Sequence, residues 1–352
     1  MNLDNLGDFN SLDSQNLLHE INSFPDHVAS AWALGQSLTL PEDFQSVRNI
    51  VIAGMGSSGM GGELAQTLAA PECPAPVSLW SNYALPAFVG RDTLVIGLSH
   101  SGDTEETVSA CEAALARGAR LLAIAAGGKL AALAAKHNAP VWGFGDQASR
   151  LTISHAFMLT LAALAKLGLV ADKSADVGEA VAALRAQRTS LHAESPVIHN
   201  PAKRMAGQLM DRLGVIFASD YLAPVARRWK AQINWLAKAW AVFDVWPEMD
   251  HNSIAGTLYP EALVSKYMVL FLRSAHEPPR NRARADVTRE IYLTAGFNTD
   301  AIEAAGQSPL AHMLTTLHYG DYAAYYLAMC YGVDPGPAPQ IDYLREELGK
   351  KA

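Results

Sequence analysis

The chain has 352 residues, 50% of them hydrophobic, so it is long enough for two globular domains that each bury a core. Its formal net charge of −8 argues against a nucleic-acid partner, because duplex binding depends on basic surface. No apolar run reaches the ~18 residues of a membrane span, and the acidic, polar start is unlike a signal or transit peptide. We therefore expect a cytoplasmic protein with reduced cysteines (Cys73, Cys111 and Cys330) that binds neither nucleic acid nor membrane.

The first 45 residues are predicted to form an N-terminal helical arm. Apolar residues recur there at helical spacing, with a break near Pro25, as seen for Leu12, Leu17, Leu18, Ile21, Phe24 and Val28. The arm carries no basic face and no glycine-rich turn, so we expect it to supply packing or dimer surface.

Strands and helices alternate over residues 46–170, which predicts a first α/β domain. The predicted strands are 49–54, 76–81, 93–98, 120–126 and 139–144, and the intervening helices are 61–69, 102–117 and 130–135. Apolar strands separated by such helices indicate a parallel sheet covered on both faces, with ligands beyond the carboxyl ends of its strands.

A second α/β pattern follows a connector. Residues 151–169 are an almost wholly apolar helix that we expect to be buried between two domains or two subunits. A connector spans 171–200 with an amphipathic helix at 172–193, and a second α/β domain spans 201–310. Within that domain we predict a strand at 214–219, a helix at 224–241 and a strand inside 262–272, followed by C-terminal helices over 311–352.

A loop of glycines and serines follows the first predicted strand. Residues 49–62 read NIVIAGMGSSGMGG, in which Gly54, Gly56 and Gly59 fit the G-x-G-x-x-G pattern of a phosphate-binding loop at a helix start. A dinucleotide site would require a carboxylate at the end of the next strand, and residues 76–81 end without one. Hydroxyls at Ser57 and Ser58 favour a phosphate monoester over a pyrophosphate.

A second polar loop follows the third predicted strand. Residues 99–104, SHSGDT, place the hydroxyls of Ser99, Ser101 and Thr104 at the start of a helix. Asp103 and Glu106 offer an alternative explanation as a helix-capping pair. Capping alone does not require the two serines, so the motif favours phosphate binding.

The two loops together resemble the SIS, or sugar isomerase, fold, in which the S-x-S-G-x-T loop grips the phosphate of a phosphosugar. Most of the chain resembles the bifunctional phosphoglucose/phosphomannose isomerase family, on the stretches 227–238 (RRWKAQINWLAK), 247–256, 320–328 (GDYAAYYLA), 333–335 (VDP) and 341–348. The resemblance implies an α/β fold of two SIS-type subdomains, a homodimer, and interconversion of fructose 6-phosphate with glucose 6-phosphate or mannose 6-phosphate. It implies this chemistry without a metal ion or cofactor.

The resemblance also implies roles for two charged residues. Arg150 would stabilise the enediolate, and His251 would open the sugar ring, reaching the site from the partner subunit. Histidine can give and take a proton near neutrality. The residues alone favour a solvated surface residue for Arg150 and a structural histidine for His251.

Three positions depart from the family pattern. The family's N-E-N-A-K motif carries the glutamate that moves the proton, and here residues 234–238 place Trp235 at that position. Gly336 replaces a threonine linked to the mannose epimer, and Arg345 replaces a lysine of the last helix with a planar guanidinium. An indole cannot abstract the C2 proton, and general acid–base catalysis contributes ~10²–10⁴-fold, so we expect impaired or altered activity.

Alternatives remain open at this stage. Glu248, Asp244 or Asp250 would be the nearest carboxylates to His251 able to replace the missing base, and His251 acting alone is another. A non-catalytic phosphosugar-binding protein, acting as a sensor or partner subunit, is the alternative function. A transcription regulator of SIS type is disfavoured, because no DNA-binding motif is recognisable before the first strand.

Overall fold

The computed structural model describes residues 2–143 and 153–351, and these form two parallel sheets flanked by helices. The first sheet has five strands in the order β2-β1-β3-β4-β5. Its strands are β1 (Asn49–Gly54), β2 (Val77–Trp80), β3 (Thr93–Ser99), β4 (Arg120–Ala125) and β5 (Val141–Trp142). All seven residues of β3 are buried, as expected for an apolar run in a parallel sheet covered on both faces.

The second sheet repeats the topology of the first. Its order is β7-β6-β8-β9, from β6 (Leu213–Ser219), β7 (Ala241–Trp246), β8 (Tyr267–Arg273) and β9 (Asn298–Glu303). In each sheet the first strand in sequence therefore lies between the second and the third. The α/β class and its two SIS-type subdomains are confirmed.

Helices cover both sheets and extend the chain at either end. The first half contains α1 (Leu6–Leu12), α2 (Leu17–Asn22), α3 (Phe24–Ser37), α4 (Gly56–Ala69), α5 (Glu105–Ala116), α6 (Gly128–Lys136) and α7 (Ser154–Lys166). The second half contains α8 (Ser174–Leu191), α9 (Pro201–Leu209), α10 (Ala223–Leu236), α11 (Pro279–Thr294), α12 (Pro309–Tyr331) and α13 (Pro339–Gly349). None of the helices among the described residues has the length and apolar character needed to cross a membrane.

Local sequence explains where several helices begin and end. Proline in the first turn opens α9 and α12, where its missing N–H would have had no partner. The Asn200 side chain accepts the first N–H groups of α9, and Ser308 does the same for α12. Gly332, with φ +65°, ends α12 in the left-handed conformation.

The apolar helix α7 is buried within a single chain. A side-chain carbon on Gly35 of α3 would lie 2.5 Å from Ala162, and one on Gly61 of α4 would lie 2.6 Å from Ala156. Small residues thus let α7 pack closely between α3 and α4. We expected this helix to be buried between two domains or two subunits. Instead, α7 packs against helices of the first half of the same chain.

Several predicted boundaries are wrong. The helix predicted at 61–69 begins at Gly56, so the loop serines lie in its first turn. The helix predicted at 224–241 ends at Leu236, and the strand β7 that follows was not predicted. The β-branched and aromatic residues of β7 are typical of a strand, but its first residue fell inside the predicted helix. β9 is a polar edge strand without such a signal, and α9 and α11 were not predicted either.

Candidate functional site

The two serine loops follow neighbouring strands, at the point where the strand order of the first sheet reverses. β1 pairs with β2 on one side and with β3 on the other, and Gly54 is opposite Leu98 at the carboxyl ends. The chain therefore leaves β1 at Met55 and β3 at Ser99 side by side. A crevice at such a switch point is where open α/β sheets bind ligands.

The first loop presents the backbone N–H groups that begin α4, which have no acceptor within the helix itself. The residue before the helix, Met55, offers no side-chain acceptor to the first turn, which contains Gly56, Ser57 and Ser58. Gly56 has φ +54°, and a side-chain carbon there would meet nothing within 4 Å. The helix dipole and these N–H groups together suit an anion at this position.

Other glycines of the same stretch serve packing. A side-chain carbon on Gly59 would lie 2.5 Å from the Gly54 carbonyl oxygen, and one on Gly62 would lie 2.5 Å from Ile52. Within the G-x-G-x-x-G match, Gly56 is therefore the one position where the backbone is left-handed, which favours glycine, and where no atom lies within 4 Å of a side-chain carbon.

The second loop is a compact turn held by its own hydroxyls. Ser99 Oγ and Thr104 Oγ1 are 2.8 Å apart, and Ser99 Oγ accepts the Gly102 N–H at 3.1 Å. Ser101 Oγ accepts the Asp103 N–H at 3.2 Å, and Ser101 itself is exposed. The Ser101 hydroxyl proton thus remains available to a ligand.

Asp103 has a different role from the capping pair considered above. Its carboxylate accepts the Lys129 N–H at 3.0 Å, at the start of α6, whereas the residue before α5, Thr104, makes no side-chain cap. Gly102 has φ +75° and packs against the Gly127 carbonyl, which fixes the turn against that helix. The capping alternative for Asp103 and Glu106 is wrong.

A buried ion pair from the second half of the chain contacts the first loop. Arg228 of α10 bonds Asp321 of α12 through Nε at 3.1 Å and Nη2 at 3.0 Å, and its Nη1 donates to Ser57 Oγ at 3.0 Å. Burial raises the pKa of Asp321, and the Arg228 guanidinium opposes that shift. In the sequence, Arg228 and Asp321 stand only inside the longer stretches quoted above. Asp321 is the one Asp, Glu, Lys or Arg of the mostly buried helix α12, which is a signal for a buried charge, whereas Arg228 is one of three basic residues of α10 and carries no such signal.

The residues predicted for proton chemistry are not gathered at these loops. Arg150 lies outside the described residues. His251 ends a 3-10 helix (Glu248–His251) and is exposed, and Arg345 is exposed on α13 beside Asp342 at 3.6 Å. Across residues 2–143 and 153–351, no side-chain hydrogen bond or ion pair joins His251 or Arg345 to either loop.

Trp235 and Gly336 lie near the end of α10. Trp235 is the second-last residue of the helix, and its half-buried ring packs against the main core. Lys238, with φ +55°, donates from Nζ to the Trp235 carbonyl at 2.6 Å and to the Pro335 carbonyl at 3.3 Å. A side-chain carbon on Gly336 would lie 2.7 Å from Cδ of Gln15, so the N-terminal arm takes the space of a larger residue.

Two of the three replacement carboxylates have structural partners. Asp250 pairs with Arg284 at 3.1 Å and accepts the Thr288 hydroxyl at 3.0 Å. Asp244 accepts the Ser253 hydroxyl. Glu248 is exposed and accepts a long bond of 3.3 Å from Asn252. In the described part of the chain, no group of three or more His, Cys, Asp or Glu side chains is arranged to hold a metal ion.

Two parallel sheets of the same topology, the first with a serine loop after each of two neighbouring strands, are the features that point to an SIS-type fold. The structure superposes on that of a hypothetical protein from Thermus thermophilus with a TM-score of 0.73, over 96% of this chain and 91% of that one, at 16% identity. Residues 198–348 match the family model of the bacterial phospho-glucose isomerase C-terminal SIS domain.

Curated relatives identify the family. A bifunctional phosphoglucose/phosphomannose isomerase of Caldicellulosiruptor bescii is 32% identical over 336 residues, covering 95% of this chain and 99% of that protein. Another from Aquifex aeolicus is 32% identical over 318 residues, covering 89% and 94%. The chain belongs to the bifunctional phosphoglucose/phosphomannose isomerase family. That Trp235 stands at the position of the family's base stays a prediction from the motif.

Proposed function

We propose that this protein is an aldose–ketose isomerase that converts glucose 6-phosphate or mannose 6-phosphate to fructose 6-phosphate through a cis-enediolate. The observation that carries the proposal is the pair of serine loops at the switch point of the first sheet, in a chain of this family. The N–H groups that begin α4 and the hydroxyls beside them suit a dianionic phosphate.

The proposal assigns two groups of residues. Those that bind the substrate phosphate are Gly56, Ser57, Ser58, Ser99, Ser101 and Thr104. The catalytic residues are Arg150, His251 and Arg345. His251 transfers the proton that opens the ring, Arg150 stabilises the enediolate oxygen, and Arg345 keeps the positive charge of the lysine that the family has in its last helix. An indole at Trp235 cannot accept the proton that moves between C2 and C1. This transfer therefore falls to Glu248 or His251, at a lower rate than with the family's glutamate.

We further propose a cytoplasmic homodimer in which His251 serves the site of the partner subunit. His251 is exposed and makes no described contact with the loops of its own chain, which supports this arrangement. We also propose that the chain divides into an arm (1–45), a first SIS domain (46–170), a connector (171–200), a second SIS-like domain (201–310) and C-terminal helices (311–352).

The test compares wild type with Trp235→Glu and Trp235→Gln, in a coupled assay for fructose 6-phosphate and by exchange of the C2 hydrogen into deuterated water. Restoring the carboxylate is expected to raise kcat by ~10²–10⁴-fold, the usual contribution of a general base. Gln has the shape of Glu without its basicity, so Trp235→Gln should stay at the wild-type rate.

Two other outcomes are informative. Equal rates in all three proteins would contradict the assignment of position 235 and place proton transfer elsewhere, with Glu248 as the exposed carboxylate to test next. Binding of fructose 6-phosphate without any exchange in the three proteins would overturn the isomerase proposal and favour the non-catalytic phosphosugar-binding protein.

A further inference from the structure

A fully buried arginine of the second half of the chain contacts the phosphate loop of the first half. The Arg228 side chain is 0% exposed, and its Nη1 lies 3.0 Å from Ser57 Oγ although the two residues are 171 positions apart. Its neighbour Arg227 also reaches α4, but it pairs with Glu63 on the surface of that helix at 2.7 Å. Of the two arginines, it is the buried Arg228 that contacts a residue of the serine loop.

Asp321 fixes the plane and direction of this guanidinium. The carboxylate accepts Nε and Nη2 with its two oxygens, a two-point contact that leaves Nη1 directed at the loop. The helices that carry the pair are locked together, because Trp229 Nε1 donates to the Thr316 carbonyl at 2.9 Å and its ring packs on Gly320. Arg228 therefore has little freedom to move away from Ser57.

The contact decides how Ser57 can be used. A serine hydroxyl has one proton to donate and lone pairs that accept. In accepting the Arg228 N–H, the Ser57 oxygen keeps its own proton for another acceptor, and the neighbouring positive charge strengthens it as a donor. At the start of α4, where the N–H groups of the helix favour negative charge, the best acceptor for this hydroxyl is an anionic oxygen of a ligand.

We propose that Arg228 and Asp321 are positioning residues that hold the Ser57 hydroxyl as a hydrogen-bond donor to the substrate phosphate. The second half of the chain thereby controls the affinity of a site built on the first sheet. This inference rests on the proposed phosphosugar site. It adds that phosphate binding requires Arg228 and Asp321 as well as the residues of the serine loops.

The test is a mutant cycle read by calorimetric titration with fructose 6-phosphate and with inorganic phosphate. The variants are Ser57→Ala, the paired Arg228→Met/Asp321→Leu, and the triple variant, with Arg227→Met as the control on the same helix. The paired change removes both charges, because one alone would leave its buried partner uncompensated. A further variant, Arg228→Lys, keeps the charge beside Asp321 but lacks the planar fork that spans both partners.

A lost hydrogen bond to a charged group corresponds to at least ~10-fold in Kd, so Ser57→Ala and the paired variant should each weaken both ligands by that factor. The triple variant should be no weaker than either, because both changes remove one interaction. Arg227→Met should bind like wild type. Arg228→Lys should lose the same ~10-fold, and its Ser57→Ala derivative should lose no more.

Several results would overturn the inference. A triple variant about 100-fold weaker would show that Arg228 and Ser57 act independently. Unchanged affinity in the paired variant would show that the ion pair is only structural. If the paired variant does not fold by circular dichroism, Arg228→Lys decides alone, and wild-type affinity there rejects the inference. A wild type that binds neither ligand would instead reject the proposed function, before any variant is compared.

Discussion

His318 shows how burial of a single residue makes stability depend on pH. His318 belongs to α12, and its side chain is buried. Its Nε2 donates to the Ile21 carbonyl at 2.7 Å, and burial lowers the pKa of His318 to about 4. The unfolded chain binds the proton near its ordinary value of 6.5, so protonation favours unfolding below that pH. Stability from this group is complete above pH 6.5 and declines as the pH falls towards 4, by about 3 kcal/mol.

The matched variant is His318→Gln, whose side-chain amide can still donate to the Ile21 carbonyl but does not titrate. Unfolding by urea at a series of pH values should give a shallower loss of stability between pH 6.5 and 4 than in wild type. Some loss remains, because burial also lowers the pKa of His155 to about 4. The control is His137→Gln at an exposed histidine, whose stability should change with pH as in wild type. If the loss of stability between pH 6.5 and 4 were the same in His318→Gln as in wild type, His318 would not be a source of that pH dependence.

At the scale of elements, two helical glycines are expected to respond to alanine with opposite signs. A side-chain carbon on Gly61 of α4 would lie 2.6 Å from Ala156 and 2.9 Å from the Phe157 nitrogen, so Gly61→Ala forces α4 away from α7. Such overpacking costs about 1–3 kcal/mol. Gly178 lies in α8 with nothing within 4 Å, so Gly178→Ala should stabilise by about 0.5–1 kcal/mol.

Thermal unfolding of the two variants beside wild type tests this pair. Both substitutions replace a helical glycine by alanine and so gain the same helix propensity. The difference between their stabilities therefore measures the packing cost at Gly61. A stabilised Gly61→Ala would mean that α4 and α7 have room to relax.

Elements with strong local signals were predictable from the sequence. The buried runs of β1 and β3 and the serine loops after them combine apolar residues with turn chemistry over a few positions, so local sequence suffices. The predicted helix at 224–241 runs into the first residue of the edge strand β7, because Ala239 and Trp240 continue the apolar pattern of α10. The helix stops at Leu236, and Lys238 adopts a left-handed φ of +55°.

At the scale of the molecule, the site depends on contacts that no local pattern carries. Arg228 and Asp321 are 93 positions apart, and both lie in helices whose other buried residues are mostly apolar. Their meeting at Ser57 follows from how α10, α12 and α4 pack, and this requires the whole fold. The serine loops could therefore be predicted from the sequence as a candidate phosphate site, whereas the contact of Arg228 with Ser57 could not.

Large aromatic side chains are exposed to water on the segments that flank His251 in the chain. Trp240 is 76% exposed and Tyr259 83% exposed, at either side of β7 and the 3-10 helix that carries His251. A cavity of about 210 Å³ opens there, lined in part by Phe243 and Tyr259. Exposed aromatic groups of this size mark interaction sites, and the proposed occupant is a second copy of this chain.

The proposed homodimer leads to a quantitative prediction for these exposed aromatic residues. Light scattering coupled to size exclusion should give twice the chain mass for wild type, and Trp240→Glu and Tyr259→Glu should each raise the dissociation constant by ~30-fold or more, because central aromatic residues dominate interface energies. Tyr343, 66% exposed on α13, provides the control, since Tyr343→Glu adds the same charge away from this surface. The two dimer-disrupting variants should also lose catalysis in the Trp235→Glu background, because His251 would no longer reach the partner's site. Monomeric wild type, or monomeric variants with undiminished turnover, would place His251 in the site of its own chain.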